Sequence, residues 1–267
     1  MAKNGRQQAA NGPLEYQSMP IRIVLVGPQH PGNIGSAARA MKTMGLTDLW
    51  LVAPERFPAQ EATALASNAA DVLASARVVP DLHAAIADCG LVVGTTARNR
   101  HLPWRIVEPR EAAAEIAAAS FTSQVAVLFG SERAGLDNDQ LRQCHVLLTI
   151  PTGEEYASLN LAMAVQVIAY ELCLASRDRA LPEGERSVPL ASADEMEKFY
   201  AHLAQVLDEI DFRDRTGAGH LMARLRRLFH RAVLDENEVH ILRGILTSVQ
   251  GKRRRAGEPH ARPEPRP

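Results

Sequence analysis

The sequence predicts an α/β protein: a mostly parallel sheet with helices on both faces, followed by a small helical unit. Three observations carry this. Short, almost unbroken apolar runs recur between residues 21 and 151, as strands buried on both faces must show. Ala-rich stretches of helical spacing fill the intervals. Past a segment rich in proline and charge, the period changes and amphipathic helices take over.

The runs are IRIVLVG (21–27), LTDLWLVAP (46–54), ARVV (76–79), GLVVGTT (90–96), VAVLFG (125–130) and HVLLTIP (145–151). EATALASNAADVLASA and PREAAAEIAAA read as helices between them. RDRALPEGERSVPLASADE, with Pro182 and Pro189, marks a linker. Beyond it, Ser192 with Glu195 has capping-box spacing ahead of Met196, Phe199, Tyr200, Leu203, Val206, Leu207 and Ile210. LMARLRRLFHRAVL reads as a basic helix, and Asp235 with Glu238 opens a third, ahead of Val239, Ile241, Leu242, Ile245, Leu246 and Val249. The expected organisation is a disordered arm (1–19), a main domain (20–176), a linker (177–191), a helical extension (192–251) and a disordered Pro/Arg tail (252–267).

With 46% hydrophobic and 23% charged residues, the 267-residue chain is ordinary for a soluble domain. No apolar run approaches the roughly 18 residues of a membrane span, and the first nineteen residues hold no signal-peptide core. A cytoplasmic protein with no membrane partner is expected. Cys89, Cys144 and Cys173, odd in number and far apart, read as buried free thiols. Net charge is −1, yet residues 213–255 hold eleven Arg/Lys against four Asp/Glu, so basic character gathers late in the chain.

Four loops at the expected strand ends hold the candidate chemistry: GPQHPGNIGSAAR (27–39), GTTARNRHLPWR (94–105), FGSERAGL (129–136) and IPTGEEYASLNLAMAVQVIAYE (150–171). Ligands of open parallel sheets bind beyond the carboxyl ends of strands, so the four are candidates for one shared pocket. A strand, a Gly/Pro turn and a helix start also present backbone to a ligand in many folds. Each loop has a plainer reading too. Gly32, Asn33 and Gly35 can make a turn and helix start; Arg98, Arg100 and Arg105 can be a solvated face, although Pro103 and Trp104 among them suit a phosphate backbone with a base nearby. Glu132 and Arg133 can be a surface ion pair, and Ser158 and Asn160 can cap the next helix. His30, His101 and His145 lack metal-ligand spacing, so no metal is expected. GPQHPGNIG is no GxGxxG fingerprint and Glu55 follows a proline, which argues against a dinucleotide-dependent oxidoreductase.

Taken in order, NIGSAAR, LFGSERAGL and IPTGEEYASLNLAMAVQVIAYE resemble the motifs of the SPOUT superfamily of RNA methyltransferases, and within it the TrmJ-like branch of tRNA ribose 2′-O-methyltransferases. The likeness covers about residues 20–175 and extends more loosely through FHRAVLDENEVHILRGIL. It implies a trefoil knot, in which the last part of the domain threads a loop, where periodicity alone points to an ordinary doubly wound sheet. It implies S-adenosylmethionine, bent among Thr95, Thr96 and Ala97, then Gly130, Glu132 and Gly135, then Ile150, Ser158 and Leu159, with glycines letting the backbone approach.

The resemblance further implies that Arg39, on the opening turns of the first helix, acts on the ribose 2′-hydroxyl with Asn33 and Ser158. Two roles are open for Arg39, a base or a clamp on the neighbouring phosphate; guanidinium groups hold their proton so firmly that the clamp is the larger effect. Arg98 and Arg100 are expected on phosphates, and Arg224, Arg226, Arg227 and Arg231 on a basic surface that grips tRNA. A homodimer is implied, with the apolar helix from Leu159 to Leu174 suited to its interface, and so is methylation of cytidine or uridine at nucleotide 32. A noncatalytic RNA-binding protein of the same fold is the rival reading, and the presence of Arg39, Asn33 and Ser158 argues against it.

Overall fold

The computed structural model describes residues 20–97, 104–153, 158–177, 188–212 and 220–257. The expected N-terminal arm, most of the linker, and Arg98 and Arg100 lie outside them. Seven strands form one sheet: β1 (Ile21–Val26), β2 (Asp48–Val52), β3 (Arg77–Val79), β4 (Cys89–Thr95), β5 (Ile106–Val107), β6 (Gln124–Phe129) and β7 (Val146–Leu148). Their order is β3-β2-β1-β6-β4-β7-β5, and every pairing is parallel. All six runs became strands. The outermost, β3, departs from the expectation of burial on both faces: it is an edge, with Arg77 and Val78 exposed. β5 was not foreseen, since two residues carry no period.

The connecting helices are α1 (Pro31–Thr43), α2 (Gln60–Ala66), α3 (Ala70–Ala74), α4 (Leu82–Ile86), α5 (Pro109–Ala119), α6 (Asn138–Leu141) and α7 (Leu161–Arg177). Ile21, Ile23 and Leu25 of β1 pack with α1, α2, α3, α5 and α7 on one face; Val24 and Val26 pack with α4 and α6 on the other. The alternation is the strand's two-residue period, here apolar on both sides. The stretch expected as one helix over 61–76 breaks at Ser67, whose φ of 51° ends α2 before a 3-10 turn leads into α3. Arg22, the buried exception in β1, donates to Asp48, Asp88 and the Ala85 carbonyl and lies 4.0 Å from the Trp50 ring.

The glycines of the first motif serve helix packing. A Cβ on Gly35 would stand 2.0 Å from the Ala62 carbonyl oxygen, and one on Gly32 would meet Glu61 and Leu65 at 2.8 Å. Both therefore let α1 and α2 close on each other, rather than presenting backbone to a ligand.

Three further helices follow: α8 (Ala193–Glu209), α9 (Leu221–Ala232) and α10 (Glu236–Gly257). Both expected capping boxes form, Ser192 with Glu195 and Asp235 with Glu238. Met196, Phe199, Tyr200 and Val239 make their core, with Phe229 edge-on to Phe199 at 4.9 Å. α10 runs to Gly257, into the stretch expected as disordered tail; Lys252 and the arginines after it have good helix propensity, and extending an existing helix is easy.

This unit docks on the sheet domain through polar contacts. Leu190 N–H donates to Ser123 Oγ and Asp194 N–H to the Ala87 carbonyl. His230 Nδ1 donates to the Cys144 carbonyl, its ring 4.9 Å from that of His145, whose own Nδ1 accepts the Val92 N–H. Burial, aided by the His230 charge, drives the His145 pKa down to about 3, so this histidine is neutral in the folded protein.

Candidate active site

Strands β1, β6, β4 and β7 are consecutive neighbours in a parallel sheet, so the four candidate loops emerge side by side at its carboxyl edge. Three of them enclose a cavity of about 310 Å³, within the usual range for a small-molecule site. Its walls come from residues 95–97 at the end of β4, 129–136 at the end of β6, and 148–152 and 158–164 at and after the end of β7. Thr95, Thr96, Ala97, Gly130, Glu132, Gly135, Ile150, Ser158 and Leu159 all line it. Arg133, Leu148 and Leu161 also do, and the sequence reading missed them. Asn33 and Arg39 are absent from the lining.

The fourth loop, from β1 into α1, is tied to the cavity by one carboxylate. Glu132 accepts from Gln29 N–H at 2.9 Å, His30 N–H at 3.1 Å and Asn33 Nδ2 at 2.8 Å. Partial burial alone would raise its pKa, but the Asn33 amide and the backbone donors outweigh that and hold the carboxyl below its ordinary range. Asn33 Oδ1 in turn accepts from Asn160 Nδ2 at 2.9 Å, and Asn160 Oδ1 caps α7 by accepting Ala162 N–H. Asn33 is thus a link between loops and not a helix cap, and the capping role expected of Ser158 and Asn160 falls to Asn160. The plainer reading of Glu132 and Arg133 as a surface ion pair gives way to these contacts.

Gly130 and Gly135 build a tight turn at the cavity's edge. A Cβ on Gly130 would lie 2.0 Å from the Gly135 carbonyl carbon, and Gly135 itself has φ +68°. Gly135 N–H closes the turn on the Ser131 carbonyl at 2.9 Å. Thr95 Oγ1 donates to the Leu128 carbonyl and Thr96 N–H to that of Leu148, which fixes the facing wall.

Arg39 is the ninth residue of α1, beyond the opening turns expected of it, and its side chain is exposed. Arg105 is engaged by Glu111 and Glu115. Arg226 pairs with Glu197 and lies 4.3 Å over the Tyr200 ring, which commits it inside the helical unit, whereas Arg224 and Arg231 are exposed. On α7, Met163, Val167 and Tyr170 form an exposed apolar stripe at helical spacing. Among the described residues there is no His/Cys/Asp/Glu group suited to a metal, and no helix long and apolar enough to cross a membrane.

The model of the SpoU rRNA Methylase family matches residues 20–170, the whole sheet domain with its three motifs. The chain belongs to that family. Residues 194–260 of this SpoU methylase match the C-terminal domain of tRNA methyltransferase TrmJ. It is 50% identical, over 87% of its length and 97% of the relative's, to the tRNA (cytidine/uridine-2′-O-)-methyltransferase TrmJ of Cronobacter sakazakii. Among solved structures it resembles TrmJ from Z. mobilis ZM4, with 37% identity over 86% of this chain and 98% of that one, at a TM-score of 0.73. A putative methylase family protein of Neisseria gonorrhoeae follows at 36%, 73% and 99%, with a TM-score of 0.64. The SpoU methylase therefore belongs with TrmJ along both its sheet domain and its helical unit.

Proposed function

We propose that this protein transfers a methyl group from S-adenosylmethionine to a ribose 2′-hydroxyl of tRNA, at cytidine or uridine 32 of the anticodon loop. The observation that carries the reading is the convergence of the motif loops on one cavity, in a chain that matches TrmJ relatives nearly end to end. The cavity suits the cofactor. Its walls mix apolar side chains, Phe129, Leu136, Leu148, Ile150 and Leu161, with threonines, serines and backbone polar groups, and the carboxylate of Glu132 is already occupied by its own chain. When bound there, S-adenosylmethionine supplies an activated methyl and its leaving group.

The protein's part is to orient the acceptor hydroxyl in line and ease loss of its proton. Arg39 clamps the phosphate beside the target ribose, Ser158 contacts the ribose or phosphate, and Asn33 holds the RNA backbone near the cavity. Because Arg39 lies outside the lining of its own chain's cavity, a second protomer completes the site. The Met163–Val167–Tyr170 stripe supports a homodimer through α7, and the knot, threaded by the chain beyond β7, belongs to the same reading. Residues 192–251 add RNA affinity through Arg224, Arg227 and Arg231, as do Arg98 and Arg100.

The test is incubation with S-adenosylmethionine and a mixed tRNA pool, then mapping of ribose methyls by digestion and mass spectrometry. A methyl at nucleotide 32 that Arg39→Ala abolishes is the expected result. Methylation elsewhere moves the substrate; no cofactor binding leaves the noncatalytic reading. Full activity in Arg39→Lys would remove the need for a bidentate fork.

A further inference from the structure

We infer that Arg133 is an RNA-binding residue that holds a backbone phosphate of the nucleic acid entering the cavity, a role that rests on the proposed tRNA reading. Arg133 sits at the tip of the turn from Ser131 to Gly135. Gly135 N–H on the Ser131 carbonyl, and Ala134 N–H on Ser131 Oγ, fix that tip. Gly130 packs directly against the Gly135–Leu136 backbone, which closes the base of the turn. The guanidinium is therefore displayed by rigid backbone, which lowers the entropy lost when it binds.

Charge points the same way. Among the described residues, Arg133 is the one cation lining the cavity and Glu132 the one anion. Both Glu132 oxygens are taken by Gln29, His30 and Asn33, so the carboxylate faces the β1–α1 loop. Among the described residues no carboxylate pairs with Arg133, which leaves its guanidinium exposed at the mouth. An oxyanion is the chemistry that completes it. Two are at hand in the proposed reaction, the carboxylate of the methyl donor and the phosphates of tRNA. Arg133, Ala134 and Gly135 line the cavity and are all exposed, so this part of its wall is the rim. That position favours the phosphate.

The experiment compares wild type, Arg133→Gln and Arg133→Lys by calorimetry with S-adenosylmethionine and by filter binding with tRNA over a range of salt. Arg133→Gln is expected to bind the methyl donor within about twofold of wild type, to lose about tenfold in tRNA affinity at low salt, and to flatten the salt slope by about one contact. Arg133→Lys, a point charge, is expected to keep the slope and lose part of the affinity. An unchanged tRNA slope in Arg133→Gln overturns the inference. Loss of methyl-donor binding with an unchanged slope overturns it in favour of the cofactor carboxylate. Wild-type protein that fails to bind tRNA at all brings down the underlying reading as well.

Discussion

The sheet domain and the helical unit are held together by different means. In the sheet domain, apolar side chains from both faces of β1, β2, β4 and β6 meet helices in two continuous layers. In the helical unit few of the described residues are buried, Ala191, Met196, Phe199, Tyr200, Val206, His230 and Val239, and α10 leaves Ile241 and Ile245 exposed. So small a core contributes little against the entropy of ordering three helices. The unit leans on what it touches, the rings of His145 and His230 and the Leu190 and Asp194 backbone contacts, and on its internal Arg226–Glu197 pair. A self-sufficient layer thus carries the candidate site, and a dependent one carries additional basic surface.

Phe199→Ala should break the comparison most sharply. Removing this ring costs about 4 kcal/mol, and amide exchange should rise throughout α8, α9 and α10 while β1 and β6 stay protected. Equal loss in the sheet would mean that the two regions unfold as one. Gly35→Ala attacks the other side. With the Ala62 carbonyl 2.0 Å from the new Cβ, a cost of about 3 kcal/mol is expected, read as a lowered melting temperature of the sheet domain.

Acid should separate the regions by chemistry. His145 has a folded pKa of about 3, below the roughly 6.5 of an unfolded histidine. Between these values the unfolded chain binds the extra proton, so stability falls as pH drops through this window, by up to about tenfold in the folding constant per pH unit. His230 is shifted the same way, by burial. Denaturant titrations at pH 7 and pH 5 check the slope, and exchange in α9 should rise before exchange in β1. A flat profile would show that the pair is not held neutral.

The smallest effect sharpens the link between loops. Asn160→Asp keeps the oxygen that caps Ala162 N–H but removes the amide that reaches Asn33. Stability should change by less than about 1 kcal/mol, while methyl transfer to tRNA falls. Asn160→Ala should lose the cap as well, by about 1 kcal/mol. Unchanged turnover in both variants would reduce the bridge to scaffolding.

The strands were legible because burial on both faces demands unbroken apolar runs, and the helical unit because Ser192–Glu195 and Asp235–Glu238 are reciprocal caps with a local spacing. The cavity lining was legible through motif order. What escaped was long-range or too short for a period. Glu132 and Asn160 show nothing in their own neighbourhoods that would point to Asn33, since those contacts are made by the fold. Arg226 looks like any other arginine of a basic helix until α8 supplies Glu197. The break at Ser67 and the two-residue β5 fall below what an apolar period can register.

One feature of the sheet bears on how the chain is made. β1 has β6 as its inner neighbour, with Ile21 opposite Val125, so a central strand waits for a partner synthesised roughly a hundred residues later. At ordinary elongation speeds that wait is about 5–20 s. Throughout it, the nascent β1–β2 pair has an open, apolar edge of the kind that recruits other chains. The period of greatest aggregation hazard for this protein is therefore on the ribosome, before Gln124–Phe129 emerges.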